Sequence, residues 1–362
     1  MKLSLRALNR ATLDRQLLLR RATMPALAAV EHLAGLQAQA PFPPYYALWA
    51  RLHGFNPHDL AQLLLDRSVV RLVLMRGTVH LVTAADALAW RPLVQPVMDR
   101  DLRTNQLHAA RVAGLDHTAV ATATRELLAS RPHTSTQLGT ALAERWPDRE
   151  SDALTHLARC LLPLVQIPPR GVWGEAGQPT YQVADHWLPG VDAVASAEQL
   201  VRRYLAAFGP ATVADVQAWS GLTKLGEVVA GMDLREYSDH AGRALYDLPD
   251  ATVPDENTPA PPRLLAPFDQ PLLSYADRTR VISDEHRKRV ISQNGLVKGT
   301  LLVGGFVKGA WEIKTTRDTA NVVLTPYERL PKRDAAALES AARRLLAWAE
   351  PGRQHEVRLL PA

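Results

Sequence analysis

Leu27, Val30, Leu33, Ala34 and Leu36 recur at helical spacing behind Thr23, a capping residue, and Pro25, which suits a first helical turn. The pattern predicts a helix over residues 24–36, and Pro41 keeps it from running much further. Two more helices are predicted nearby, over residues 13–20 and 57–66, the latter capped by Asn56 with Pro57 at its first position. The period then shortens to two, and strands over 69–75 and 78–82 meet at Arg76-Gly77. Helices followed by such a two-stranded wing describe a winged helix.

The same order recurs twice without visible repetition of residues. Helices over 118–129, 136–145 and 151–162 precede strands over 165–167 and 181–183, joined through the glycines of 171–177. A helix over 197–208 stops at Gly209-Pro210; helices capped by Thr212 and Thr223 follow, and strands over 234–237 and 245–248 close the unit. Residues 250–262, rich in proline and acidic side chains, read as a linker. Beyond it strands dominate, over 263–265, 272–273, 297–307, 309–313 and 319–324, with a helix over 334–349 and a short strand over 357–360. The predicted fold class is α+β, mainly α. Three tandem winged-helix units over 1–110, 111–192 and 193–250 lead into a small β-rich C-terminal domain, a partial barrel, over 263–362.

Charge adds a partner to this picture. The 362 residues carry a formal net charge of +5, and the first 21 alone hold Lys2, Arg6, Arg10, Arg15, Arg20 and Arg21 against Asp14. A second basic tract contains Arg278, Arg280, Arg287, Lys288, Arg289 and Lys298. One such tract fits phosphate contact and a solvated helix face equally; two separated tracts favour a nucleic-acid partner. Cys160 is the only cysteine and sits among Leu157, Leu161 and Leu162, as a buried structural thiol does. No His-Glu-x-x-His, no Gly-x-Ser-x-Gly and no glycine-rich strand-to-helix turn is present, so neither a metal, a serine nucleophile nor a nucleotide cofactor is expected. Apolar runs fall short of membrane length and the first residues lack a signal-peptide core. A cytoplasmic monomer is expected.

Candidate chemistry lies in three places. Gln37 and Gln39 would point about 200° apart on a continuing helix, but an extended backbone from Gln37 would set both amides on one side, able to hold one water or sugar oxygen. Surface amides or helix-end caps fit the same spacing. In the second strand of the first wing, Thr78, His80 and Val82 share a face, and His80 either supports a site near the glutamines or makes a structural hydrogen bond. Asp269 and Asp277 flank a turn-rich stretch, either as an acidic pair or as local partners of Arg278 and Arg280. Strands around Lys298, Gly304-Gly305 and Lys308 are expected to form an exposed hairpin whose lysines meet phosphates.

Gly35-Leu36-Gln37-Ala38-Gln39-Ala40-Pro41, Arg76-Gly77-Thr78-Val79-His80-Leu81-Val82 and Pro267-Phe268-Asp269 with Asp277-Arg278 together resemble the AlkZ-like DNA glycosylases. These are bacterial tandem winged-helix proteins that include actinobacterial self-resistance enzymes, and the resemblance spans almost the whole chain. Their Gln-Φ-Gln catalytic motif falls on Gln37 and Gln39, with Ala38 small for the apolar middle position; other branches carry aspartate where Gln39 stands. The resemblance implies excision of N7-alkylated purines, including bulky adducts and interstrand crosslinks, from duplex DNA. Gln37 and Gln39 would position the water, supported by His80 and Asp269, and Arg76, Arg278, Arg280, Arg287, Lys288, Lys298 and Lys308 would meet DNA. No lysine in the motif offers a Schiff base, so a monofunctional glycosylase is expected. A regulator that binds DNA through the same units without chemistry is the alternative.

Overall fold

The structure, a computed structural model, describes Met1–Ala362. The first helix, α1 (Leu5–Arg15), starts where the Ser4 hydroxyl accepts the Ala7 N–H. The predicted helix over 13–20 is thus displaced toward the N-terminus, and Leu17, at φ 57°, turns Leu18 and Leu19 into the core. α2 (Ala26–His32) also stops earlier than expected, because Ala34 and Gly35 adopt left-handed conformations of φ 54° and 82°. The freed chain enters β1 (Leu36–Gln37). α3 (Pro43–Arg51), whose Pro43 and Pro44 sit in its first turn, was not expected; α4 (Pro57–Leu65) was.

β2 (Val69–Val73) and β3 (Val79–Thr83) form the expected antiparallel pair, followed by α5 (Ala84–Leu93), α6 (Gln95–Thr104) and α7 (Ala109–Val112). The second stretch comprises α8 (His117–Ser130), β4 (His133–Thr134), α9 (Ser135–Arg145), α10 (Ser151–Leu161), β5 (Leu164–Gln166), β6 (Thr180–Val183) and α11 (Ala184–Trp187). Pairing of β2 with β5 joins the two stretches in one six-stranded sheet of order β1-β3-β2-β5-β6-β4. The third stretch, α12 (Ala197–Phe208), α13 (Val213–Ser220), α14 (Leu225–Ala230), β7 (Arg235–Ser238) and β8 (Ala244–Asp247), keeps its strand pair separate.

In the C-terminal part, β9 (Arg263–Leu265), α15 (Asp284–Val290), β10 (Gly299–Val303), β11 (Phe306–Thr315), β12 (Thr319–Pro326), α16 (Lys332–Ala349) and β13 (Gln354–Leu359) build a five-stranded sheet, β13-β12-β11-β10-β9. Its outer strands do not meet, so the expected partial barrel is an open sheet packed on α16. The expected strand over 272–273 is instead the end of a single 3-10 turn, Gln270–Leu272, in which Pro271 fixes φ at the second position.

The N-terminal basic tract serves this architecture. Arg10 is 2 % exposed and donates to the Thr258 carbonyl at 2.7 Å, while Arg15 pairs with buried Asp247 through two bonds of 2.6 Å. Arg6 donates to the Glu256 carbonyl at 2.8 Å, and Arg21 stacks over Trp49. These four arginines tie α1 and the segment after it to the rest of the chain; Lys2, Arg6 and Arg20 of the tract stand in solvent. No helix is long and apolar enough to cross a membrane.

Candidate active site

Gln37 lies directly opposite His80 in the β1–β3 pairing, the Ala38 N–H donates to the Val79 carbonyl at 2.8 Å, and the chain then bends at Gln39. Ala38 is wholly buried between the two glutamines, and strand alternation stops at Gln37, so the amides are placed by their hydrogen bonds. The Gln37 Oε1 accepts from Arg76 Nη2 at 2.7 Å; the Gln39 Oε1 accepts from the Val79 N–H at 3.1 Å. Both amides are thereby oriented, each with one carbonyl lone pair engaged and no acceptor on its NH₂. Gln37 is 8 % exposed, whereas Gln39 stands in solvent.

Buried Gln270 and Arg71 and half-buried Arg76 fasten this segment. Gln270 Nε2 donates to the Gly35 carbonyl at 2.9 Å and Arg71 Nη2 to the Ala38 carbonyl at 2.8 Å. Arg76, in a left-handed conformation of φ 58°, reaches Gln37 with one nitrogen and the Trp219 carbonyl with the other at 2.6 Å, linking α13 to the site. A side chain at Gly35 would meet a Val82 methyl at 2.5 Å, so glycine is required there for space as well as for φ.

His80 is wholly buried, donates from Nδ1 to the Thr78 carbonyl at 3.0 Å and presents Nε2 to Arg76 at 3.5 Å. Burial, then the charge of Arg76, pushes it down to about 3, so it is neutral at neutral pH. Burial, then Arg278, lowers Arg76 to about 10, which leaves it charged.

Asp269 makes no hydrogen bond to either glutamine amide. Its carboxylate takes two bonds from Arg51, at 2.6 and 3.0 Å, and the Ala266 N–H at 3.1 Å, with both side chains fully buried. It forms neither an acidic pair with Asp277 nor a local pair with Arg278 or Arg280. Asp277 instead binds Arg243 at 2.8 Å and the Thr279 hydroxyl at 2.6 Å. Gln270, next in the chain, is the residue of this motif that reaches the site.

The seven cations expected at DNA have different surroundings. Arg280 is 5 % exposed, donates to the Pro210 carbonyl at 2.8 Å and lies 3.6 Å from Asp215, which removes it from any phosphate-facing set. Lys308 pairs with Glu328 at 2.9 Å, and Arg76 is committed to Gln37. Lys288 and Lys298 stand in solvent, Arg287 meets Asp284 at 3.3 Å, and half-buried Arg278 donates to the Tyr275 carbonyl. At the hairpin tip Gly304 is exposed as expected, whereas Gly305 is buried, its carbonyl accepting from Asn9 Nδ2 of α1 at 2.7 Å. A second exposed tip belongs to β11–β12, around Thr316, Arg317 and Asp318. A half-open cavity of about 410 Å³ beside that sheet is lined by Tyr46, Pro267, Lys298, Trp311, Glu312 and Tyr327 among others, and does not include the glutamines.

Arg71 and Gln270 escaped the sequence reading. A lone arginine in the otherwise apolar run Val69-Val70-Arg71-Leu72-Val73 is the available signal, because a charge buried in a sheet needs carbonyl partners.

Residues 30–348 match the family model described as DNA glycosylase AlkZ-like. The interstrand DNA cross-link repair glycosylase of Streptomyces sahachiroi is 26 % identical over 356 residues, covering 91 % of this chain and 93 % of its own. The solved structure of Streptomyces sahachiroi DNA glycosylase AlkZ superposes with a TM-score of 0.79 at 24 % identity, over 99 % of this chain and 100 % of that one, and shares its fold. With the family model spanning most of its length, the chain belongs to the AlkZ-like DNA glycosylase family.

Proposed function

We propose that this DNA glycosylase hydrolyses the N-glycosidic bond of N7-alkylated purines in duplex DNA, bulky genotoxin adducts included, with a water positioned by Gln37 and Gln39. One observation carries the reading: no group bonded to the two amides takes up a proton at neutral pH. Their partners are the Arg76 guanidinium and the Val79 N–H, and adjacent His80 stays neutral. A site without a base needs a leaving group activated in advance, and an N7-alkylguanine, being cationic, departs from C1′ as a neutral base. The remaining carbonyl lone pairs of Gln37 and Gln39 accept the water's hydrogens and turn its oxygen toward C1′. Their dipoles stabilise the oxocarbenium-like sugar, and the proton released after water adds passes to solvent. Arg76 and His80 position Gln37; Asp269 acts through Arg51 and its neighbour Gln270.

Three helix–strand-pair units, 1–110, 111–192 and 193–250, act as tandem winged helices beside the C-terminal domain, 263–362. Arg278, Arg287, Lys288 and Lys298 meet the phosphates. The Streptomyces sahachiroi relative is named for cross-link repair, and the same chemistry at C1′ would unhook one arm of a crosslink in self-resistance or repair. The protein acts as a cytoplasmic monomer without a nucleotide cofactor. Incubated with duplex containing N7-methylguanine, it releases the free base and leaves abasic sites. Excision undiminished in the Gln37→Ala, Gln39→Ala double variant overturns the mechanism, and the absence of base release from any N7-alkylated duplex overturns the activity.

A further inference from the structure

We propose that Asp101, His156 and Cys160 bind one divalent transition-metal ion of the zinc class, which pins α10 to α6 and so joins the second stretch of the chain to the first. His156 and Cys160 are one turn apart on α10 and share a face; Asp101 approaches from α6. The His156 Nε2 lies 2.8 Å from Asp101 Oδ2, and the Cys160 Sγ lies 3.7 Å from that nitrogen and 3.8 Å from that oxygen. A tetrahedral zinc with bonds of about 2.0 Å to nitrogen or oxygen and about 2.3 Å to sulfur holds its ligand atoms about 3.3–3.6 Å apart. Both sulfur separations are close to that spacing, and the carboxylate needs to move back by only about half an ångström.

The donor set selects the ion. Thiolate with imidazole favours zinc over magnesium or calcium, which seek oxygen shells. Cys160 is 4 % exposed, and burial, then Asp101, pushes its thiol up to about 12, so the ion must displace the proton. A sulfur–metal bond then forms, the S–H bond breaks and H⁺ leaves to solvent. Asp101 and the thiolate together neutralise the ion's two positive charges, which suits a site bordered by the cations Arg91 and Arg159. The surroundings are already fixed: Arg91 donates to the Cys160 carbonyl at 2.7 Å and Gln95 at 3.2 Å. The His108 ring stacks on that of His156 at 4.3 Å, with its Nδ1 buried and unpartnered. A fourth coordination position is left to water. A scan for His-Glu-x-x-His misses this arrangement, because its third ligand comes from a different helix.

Full-length protein stripped with a chelator and titrated with Co²⁺ tests the site. One equivalent is expected to bind with thiolate-to-cobalt charge-transfer absorption, to be displaced by Zn²⁺, and to raise Tm. Cys160→Ser removes the charge-transfer band, and Asp101→Asn, nearly isosteric, weakens binding at least about tenfold. Wild-type protein that binds no stoichiometric Co²⁺, or that shows no thiolate band, overturns the proposal. Equal affinity in Cys160→Ser overturns it too.

Discussion

The glutamine segment and the Pro267-Phe268-Asp269 segment are one hydrogen bond apart, through Gln270 and the Gly35 carbonyl, yet they use their polar atoms in opposite ways. Asp269 has both oxygens on Arg51 and a third bond from Ala266, all out of solvent. Gln39 makes one bond and keeps the rest of its amide at the surface. Both segments carry family resemblance, so resemblance alone does not separate their roles; unused hydrogen-bonding capacity does. A saturated buried pair is architecture, and an oriented, unsaturated amide is available to a substrate.

Asp269→Ala tests this contrast hardest. It leaves the Arg51 charge buried without its counterion, so urea denaturation should show a loss of about 3–5 kcal/mol. Asp269→Leu combined with Arg51→Met should recover much of that loss. If Asp269→Ala instead keeps full stability and loses excision, Asp269 belongs to the chemistry and the contrast breaks. The double variant Gln37→Ala, Gln39→Ala should do the reverse: single-turnover excision falling by about 10²–10³-fold, the range for losing preorganised dipoles, with DNA affinity changed less than about twofold. Affinity lost in parallel with excision would make the amides a binding device.

How legible these roles were depended on distance along the chain. Gln37-Ala38-Gln39 and the three strand pairs were readable because spacing, alternation and turn residues are local, and Gly35 marks the helix end beside the pair. Arg15 belongs to a tract that fits phosphate contact and a solvated face equally, and it does neither: its partner, Asp247, lies 232 residues away, out of reach of any local pattern. Arg51 and Asp269, 218 residues apart, were hidden in the same way. α3 was missed, although Pro43 and Pro44 sit at its start, where a helix tolerates them, because the helical pattern was followed only as far as Pro41. Whether β9 and β13 close a barrel depends on packing that no local pattern encodes.

His80 gives a graded version of the comparison. Its folded value of about 3 lies below the ordinary 6.5, so between those limits the unfolded chain binds more protons than the folded one. Stability contributed by neutral His80 is complete above about pH 6.5 and drains as pH falls toward 3, by at most about 1.4 kcal/mol per pH unit. Urea midpoints measured across that window should flatten in His80→Gln relative to the parent. An unchanged slope would mean that the His80 environment opens to water.

The smallest effect separates the two glutamines themselves. Gln37 is buried and is the acceptor for Arg76 Nη2, so Gln37→Ala leaves a half-buried guanidinium nitrogen without its partner and should cost about 1–3 kcal/mol of stability. Gln39 is itself exposed and receives only the N–H of buried Val79, a donor its removal opens to water, so Gln39→Ala should change stability by less than Gln37→Ala, under about 1 kcal/mol. Excision should nevertheless fall in both. Gln37 therefore shares the architectural character of Asp269 while facing the site, and Gln39 is the residue whose loss reports on chemistry alone. Equal destabilisation by the two single variants would mean that Gln39 is as much part of the frame as Gln37, and the distinction between saturated and available polar groups would fail at the position where it matters most.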